Sequence, residues 1–180
     1  MTLVNDLKKV CKEATGSFVS IDLQYPTVIS ILEKNTKIVN GYLLEFDGKK
    51  KGKGKNTKAK RFKKINIKKL RKTFKKKSVD TIVCNYEEIH KYMRFFVKDS
   101  IYINKGKLYL YGKKEEFVLE DIESFYKRYK TTITITEYDK EFLIEIDNSQ
   151  AKNNFIKDKM YSIKDLMVSI INFIGDIMIG

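Results

Sequence analysis

The sequence predicts a mixed α/β domain: a mostly parallel sheet with helices on both faces, closed by an antiparallel hairpin. Three observations predict it. Short β-rich runs alternate with helical patterns from residue 17 onward, which is how successive βαβ units read. The run SVDTIVCNY (78–86) is almost continuously apolar, as expected of a strand buried on both faces of a parallel sheet. TTITITEYDKEFLIEID (131–147) instead alternates on either side of Tyr138-Asp139-Lys140, the pattern of an antiparallel hairpin. With 180 residues, 42% of them hydrophobic, the chain can bury one real core. No internal repeat is evident.

Each element follows in chain order. Leu3, Leu7, Val10, Cys11 and Ala14 recur at helical spacing, and Gly16 marks the end of that helix. SFVSIDL (17–23) is a strand ending in an acid. Pro26 opens a short helix, PTVISILEKN, because its fixed φ suits a first helical turn. KIVNGYLLEFD (37–47) is the second strand and SVDTIVCNY the third. Ile89, Tyr92, Met93 and Phe96 share a helical face, GKLYLYG (106–112) is a fourth strand, and Val118, Ile122, Phe125 and Tyr129 mark another helix. Residues 155–180 are expected to append a C-terminal helix. Its polar stripe is confined to Asp165, Ser169, Asn172 and Asp176. The rest is apolar enough to fill a gap in the fold or to pair two subunits into a homo-oligomer.

Charge is concentrated in one place. The net charge is +14, yet residues 48–77, GKKKGKGKNTKAKRFKKINIKKLRKTFKKK, hold 17 of the 37 basic side chains and no acid. Outside that run 20 basic residues face 23 acidic ones, the balance of an ordinary cytoplasmic protein. The first half reads as a charged surface loop. In the second half Ile67, Leu70 and Phe74 stand at i, i+3 and i+7, so a basic amphipathic helix is expected. Such a density of cations is costly without a polyanionic partner. Nucleic-acid backbone is the expected one, RNA favoured, contacted by Lys58, Lys60, Arg61, Lys63, Lys64, Lys68, Lys69, Arg71 and Lys72. Lysine brings point charge rather than bidentate base reading, so little sequence preference is expected. Lysine-rich solvation and an anionic membrane surface are the other readings.

The order of elements from 17 to 147 resembles the class I S-adenosylmethionine-dependent methyltransferase fold. VSIDLQYPTVISILEKN is similar to that family's strand with a terminal acid followed by a helix. SVDTIVCNYEEI resembles its central strand, INKGKLYLYG its glycine-strand unit, and EEFVLEDIESFYKRYKTTITITEYDKEFLIEID its closing helix and hairpin. The family's first strand normally ends in a glycine-rich turn, and only Gly16 stands near such a place. If SFVSID is the family's second strand, the first strand is missing, and the resemblance implies that Asp22 takes the ribose hydroxyls of S-adenosylmethionine. If it is the first strand, its turn, LQYPT, has no glycine. Tyr42 stands where an adenine-recognising acid is expected. The resemblance implies that Asn85 and Tyr86 border the methyl acceptor, without the prolines used by enzymes acting on exocyclic amines. A version degenerate in cofactor binding is expected.

Other chemistry is not supported. Cys11 and Cys84 lie far apart and share no ligand spacing with His90, the only histidine, which argues against a zinc site or a disulfide scaffold. His90 reads as a surface residue and Cys84 as a small core residue. Gly54-Lys55 is followed by Asn56, so the phosphate-loop pattern fails. Tyr109 and Tyr111 share a strand face, for base stacking or for core packing.

Overall fold

The computed structural model describes residues 2–45, 62–66, 70–115 and 118–151. α1 (Leu3–Glu13) buries Leu3, Leu7 and Cys11 along one stripe. β1 (Gly16–Ile21) leads into α2 (Pro26–Lys34), whose proline occupies the first turn. β2 (Ile38–Glu45), β3 (Phe62–Asn66), the single turn α3 (Leu70–Thr73) and β4 (Val79–Asn85) follow. α4 (Tyr86–Ile89), a 3₁₀ turn (His90–Tyr92) and α5 (Met93–Ile103) succeed one another without a break. β5 (Asn104–Lys113), α6 (Val118–Lys127), β6 (Thr132–Glu137) and β7 (Glu141–Asp147) complete the described chain.

The seven strands form one sheet in the order β3-β2-β1-β4-β5-β7-β6. β1 to β5 run parallel to one another, and β7 is antiparallel between β5 and β6. Burial on both faces of β4 is borne out. Ile82 and Cys84 join the core under α5 and α6, while Val83 joins the core under α1 and α2. Tyr109 and Tyr111 face that second core and are buried, so packing, not base stacking, is their use.

Two expectations are settled by the topology. SFVSID lies in the middle of the sheet, with β2 on one side and β4 on the other. The chain therefore steps outward through β2 and β3, then crosses back to β4. No strand is missing, and SFVSID is the first one.

The second is a correction. Residues 62–66 are not part of a basic helix but an edge strand, paired in parallel with β2 from Gly41↔Phe62 to Glu45↔Asn66. Glycine at 41 permits this, since a Cβ there would sit 2.4 Å from the Phe62 ring. Among the described residues the helix is the four residues of α3. Pairing the edge of β2 satisfies a row of backbone groups that a longer helix would have left open. Leu70 and Phe74 are nonetheless buried as expected of an anchoring stripe, with Phe74 edge-on to Tyr42 at 4.8 Å between centroids. The expected loop over 48–61 and the C-terminal helix over 155–180 lie outside the described residues. Among the described residues no helix is long and apolar enough to cross a membrane.

Candidate functional site

In an open parallel sheet, ligands bind where the strand order reverses, outside the carboxyl ends of the strands. Here the reversal falls between β1 and β4. Asp22 and Asn85 stand at those two ends, Glu45 closes β2 beside them, and Tyr111 lies in the buried stretch near the end of β5.

Asp22 is the hub. It adopts a left-handed backbone at φ 48°, a conformation that glycine enters without strain and that Asp tolerates better than most residues. Its N–H donates to the carbonyl of Leu44 (3.2 Å) and its carbonyl accepts from the Tyr111 hydroxyl (2.9 Å). Its carboxylate Oδ2 accepts from Gln24 Nε2 at 2.8 Å and from Asn85 Nδ2 at 3.4 Å. The other oxygen, Oδ1, accepts from none of the described residues. Asp22 does not cap α2, whose N-cap position is Tyr25.

The rest of the turn is tied to the far strands. The Tyr25 ring lies 5.8 Å from that of Tyr111, and its hydroxyl donates to Glu141 Oε1 at 3.1 Å. Burial, then the neighbouring Glu141 carboxylate, push the Tyr25 phenol up to about 12. Burial likewise raises Tyr111. Both are neutral hydrogen-bonding groups at physiological pH.

Asn85 is buried, and both ends of its carboxamide are used. Nδ2 reaches Asp22, while Oδ1 accepts from the Glu87 N–H at 3.1 Å and so caps α4. Tyr86 follows, its ring 6.0 Å from Phe142 and 6.3 Å from His90. Gly112 lets β5 pass close beneath, since a Cβ there would sit 3.3 Å from Tyr86 Cβ. Among the described residues no cluster of metal-ligating side chains occurs.

Two residues assigned to the cofactor do not join this site. Gly16 begins β1 at the opposite edge of the sheet, where its φ of 69° and missing Cβ make room for Asp80. There Asp80 Oδ2 accepts from the Ser17 N–H at 2.9 Å. Tyr42 sits inside β2, paired with Val19 and packed on Phe74. Glu45, which the sequence reading passed over, is the acid at the end of the second strand. The signal was present in LLEFD, once SFVSID is known to be the first strand.

Of the residues assigned to nucleic acid, Lys58, Lys60, Arg61, Lys68 and Lys69 lie outside the described residues. Lys63 and Lys64 are in β3, opposite Tyr42 and Leu43. Lys72, Lys75 and Lys76 are exposed. Arg71 is not a free cation: it pairs with Asp99 at 2.5 Å and stacks 5.1 Å from the Tyr102 ring. Lys77 is also committed, its Nζ donating to the carbonyls of Asn104 (2.9 Å) and Asn148 (3.1 Å).

The strand order and the layering define the class: the chain has the fold of class I S-adenosylmethionine-dependent methyltransferases. Solved structures agree. A SAM dependent methyltransferase from Aquifex aeolicus superposes with a TM-score of 0.56 at 15% identity, over 79% of this chain and 89% of its own. TrmK of M. capricolum, solved with S-adenosyl-homocysteine, gives 0.52 at 12% identity, over 88% and 74%. Sp1610 of Streptococcus pneumoniae, a candidate tRNA (m1A22) methyltransferase solved with S-adenosyl-L-methionine, gives 0.54 at 14%, over 86% and 77%. At these identities the likeness is one of fold. No protein-family model matches the sequence, and no curated protein does.

The turn after β1 differs from the family's glycine-rich turn. A glycine turn lets bare backbone approach the ligand. Here Asp22-Leu23-Gln24-Tyr25 replaces it, and three of the four side chains are spent within the protein: Leu23 in the core, Gln24 on Asp22, Tyr25 on Tyr111 and Glu141.

Proposed function

We propose that this chain is a methyltransferase-fold domain, degenerate in cofactor binding, that associates with nucleic acid, RNA foremost, through the lysine-rich segment of residues 48–77. The cross-linked, glycine-free turn after β1 carries the first half of this reading. S-adenosylmethionine is the ligand to test at the carboxyl edge, with the Asp22 carboxylate as the group for its ribose. Asn85 and Tyr86 then stand beside the acceptor position without performing transfer, because the Asn85 carboxamide is already engaged at both ends.

Titration calorimetry with S-adenosylmethionine and its demethylated product tests this. The expected result is binding no tighter than millimolar, lost in Asp22→Ala. Saturable micromolar binding would overturn the degenerate reading.

The second half rests on charge. Residues 48–77 hold the protein's whole cationic excess, and the exposed Lys72, Lys75 and Lys76 extend it onto the described surface. RNA is favoured because Sp1610, of the same fold, is assigned to a tRNA. Oligoribonucleotide affinity measured against salt should fall with a slope that flattens when Lys63, Lys64, Lys68 and Lys69 are replaced by Gln. An unchanged slope rules this half out.

A further inference from the structure

A cleft of about 230 Å³ opens beside the carboxyl edge, between the start of α5 and α6, lined by Tyr86, His90, Lys91, Arg94, Phe95 and Phe125. We infer that it takes one unpaired base of a single-stranded RNA, stacked on its aromatic rings with the adjoining phosphate at Lys91. The inference rests on the nucleic-acid reading above and adds to it a site for a base, apart from the lysine run.

The chemistry of the lining points to this ligand. It combines three aromatic rings with Lys91 and an imidazole, and no carboxylate is among the described lining residues. Aromatic faces accept any base by stacking, and cations beside them take the backbone, the combination by which single strands are held.

Phe95 is the second pointer. α5 buries Met93, Phe96, Val97 and Ile101, yet Phe95 is 73% exposed. The ring stands open to solvent at the cleft wall, where the face of a base can stack on it. The opposite wall is already built for cations: Arg128 lies 5.3 Å from the centre of the Phe125 ring. Tyr86 is held from behind by Phe142.

His90 supplies a polar handle. Its Nδ1 lies 2.8 Å from the Glu87 carbonyl, which can only accept. The proton of the neutral ring is therefore on Nδ1, and Nε2 is left as an acceptor. An exocyclic N–H of a base is the matching donor.

The test is titration of an oligoribonucleotide carrying one 2-aminopurine, single-stranded and as a duplex, onto the full chain. Stacking predicts quenching on binding the single strand and none with the duplex. Phe95→Ala, at an exposed position, and Lys91→Gln should each weaken single-strand binding about tenfold and reduce the quenching. The Gln variants of Lys63, Lys64, Lys68 and Lys69 should alter the salt slope while leaving the quenched amplitude intact. If the wild type binds with a salt slope but Phe95→Ala matches it in affinity and quenching, the cleft is not a base site and the backbone reading survives. If neither strand form binds at low salt, both readings fall. Equal quenching with single strand and duplex also overturns the cleft proposal.

Discussion

Asn85 distinguishes a structural from a chemical role for the carboxyl edge, and two substitutions separate its two contacts. Asn85→Ala removes the cap of α4 and the donor to Asp22. A lost N-cap costs about 1 kcal/mol. The 3.4 Å bond to a half-exposed carboxylate is long and adds roughly 0.5 kcal/mol. The total, about 1.5 kcal/mol, lowers the melting temperature by roughly 3–6 °C in a chain of this size. Asn85→Asp keeps the oxygen that accepts from Glu87 but sets a second carboxylate against Asp22. Two unit charges at this separation repel by about 1 kcal/mol in water and about 5 kcal/mol at an effective dielectric of 20, so ~2 kcal/mol is expected at a half-open site. The sign with pH follows. Repulsion raises a carboxyl pKa in the folded state only, so the deficit is present above that raised value and disappears as pH falls below the unfolded value near 4. Urea unfolding at pH 7.5 should place both variants below wild type. At pH 4 Asn85→Asp should recover past Asn85→Ala, because its cap is intact. If Asn85→Asp equals wild type at pH 7.5, the Asn85–Asp22 contact is not made and the account of the site as internally cross-linked fails.

Three further outcomes are expected. Gly41→Ala, which drives a Cβ into the Phe62 ring, should cost about 1–2 kcal/mol and speed amide exchange along β3, with Phe62→Ala relieving it in the double variant; unchanged β3 protection would contradict the edge strand. Carboxyl NMR titration should find Asp147 below the ordinary range, held there by the Ser149 N–H at 2.8 Å, and Asp99 above it, because burial outweighs its Arg71 partner. Asp147 thus contributes stability that is complete above the unfolded carboxyl value and lost as pH falls through its folded one, whereas Asp99 imposes a penalty that the same fall relieves; a common midpoint would refute both. Cys11, its thiol pushed up to about 12 by burial, and Cys84, raised by burial and then by Asp22, should resist iodoacetamide at pH 8 until urea unfolds the chain.

The fold was legible because its signals are local and redundant. The continuous run of β4, the alternation of β6 and β7 and Pro26 at the head of α2 each reflect burial or a fixed dihedral acting on a few neighbouring residues. β3 was not legible, because FKKIN has neither alternation nor an apolar run and pairs only on one edge. What holds it is Phe62 over Gly41, a contact 21 residues apart in sequence (41 to 62), and the open edge of β2. The site was half legible. Asp22 and Asn85 end their strands as read, but their mutual bond joins residues 63 apart, and no spacing rule finds it. Arg71 and Lys77 were counted as free charge because their partners, Asp99 and the carbonyls of Asn104 and Asn148, come from later elements.

The turn after β1 also shows why the fold survives without the family's glycines. Those glycines serve a ligand, since they bring backbone close to something that is not protein. The sheet itself is specified by Phe18, Val19 and Ile21, which fill both cores from β1. Side chains in the turn also stabilise the protein. Leu23 adds to the core, and Tyr25 links α2 to β5 and β7. The lysine run leaves the sheet at Glu45, on the same edge, because Ile21 and Leu44 are paired in register. It returns at Phe62, the start of a parallel strand and hence the opposite edge. The aromatic cleft at Tyr86 and Phe95 opens beside the carboxyl edge. Under the proposed function, substitutions in the turn and in the lysine run should be separable in calorimetry, the first changing S-adenosylmethionine binding and the second oligoribonucleotide binding.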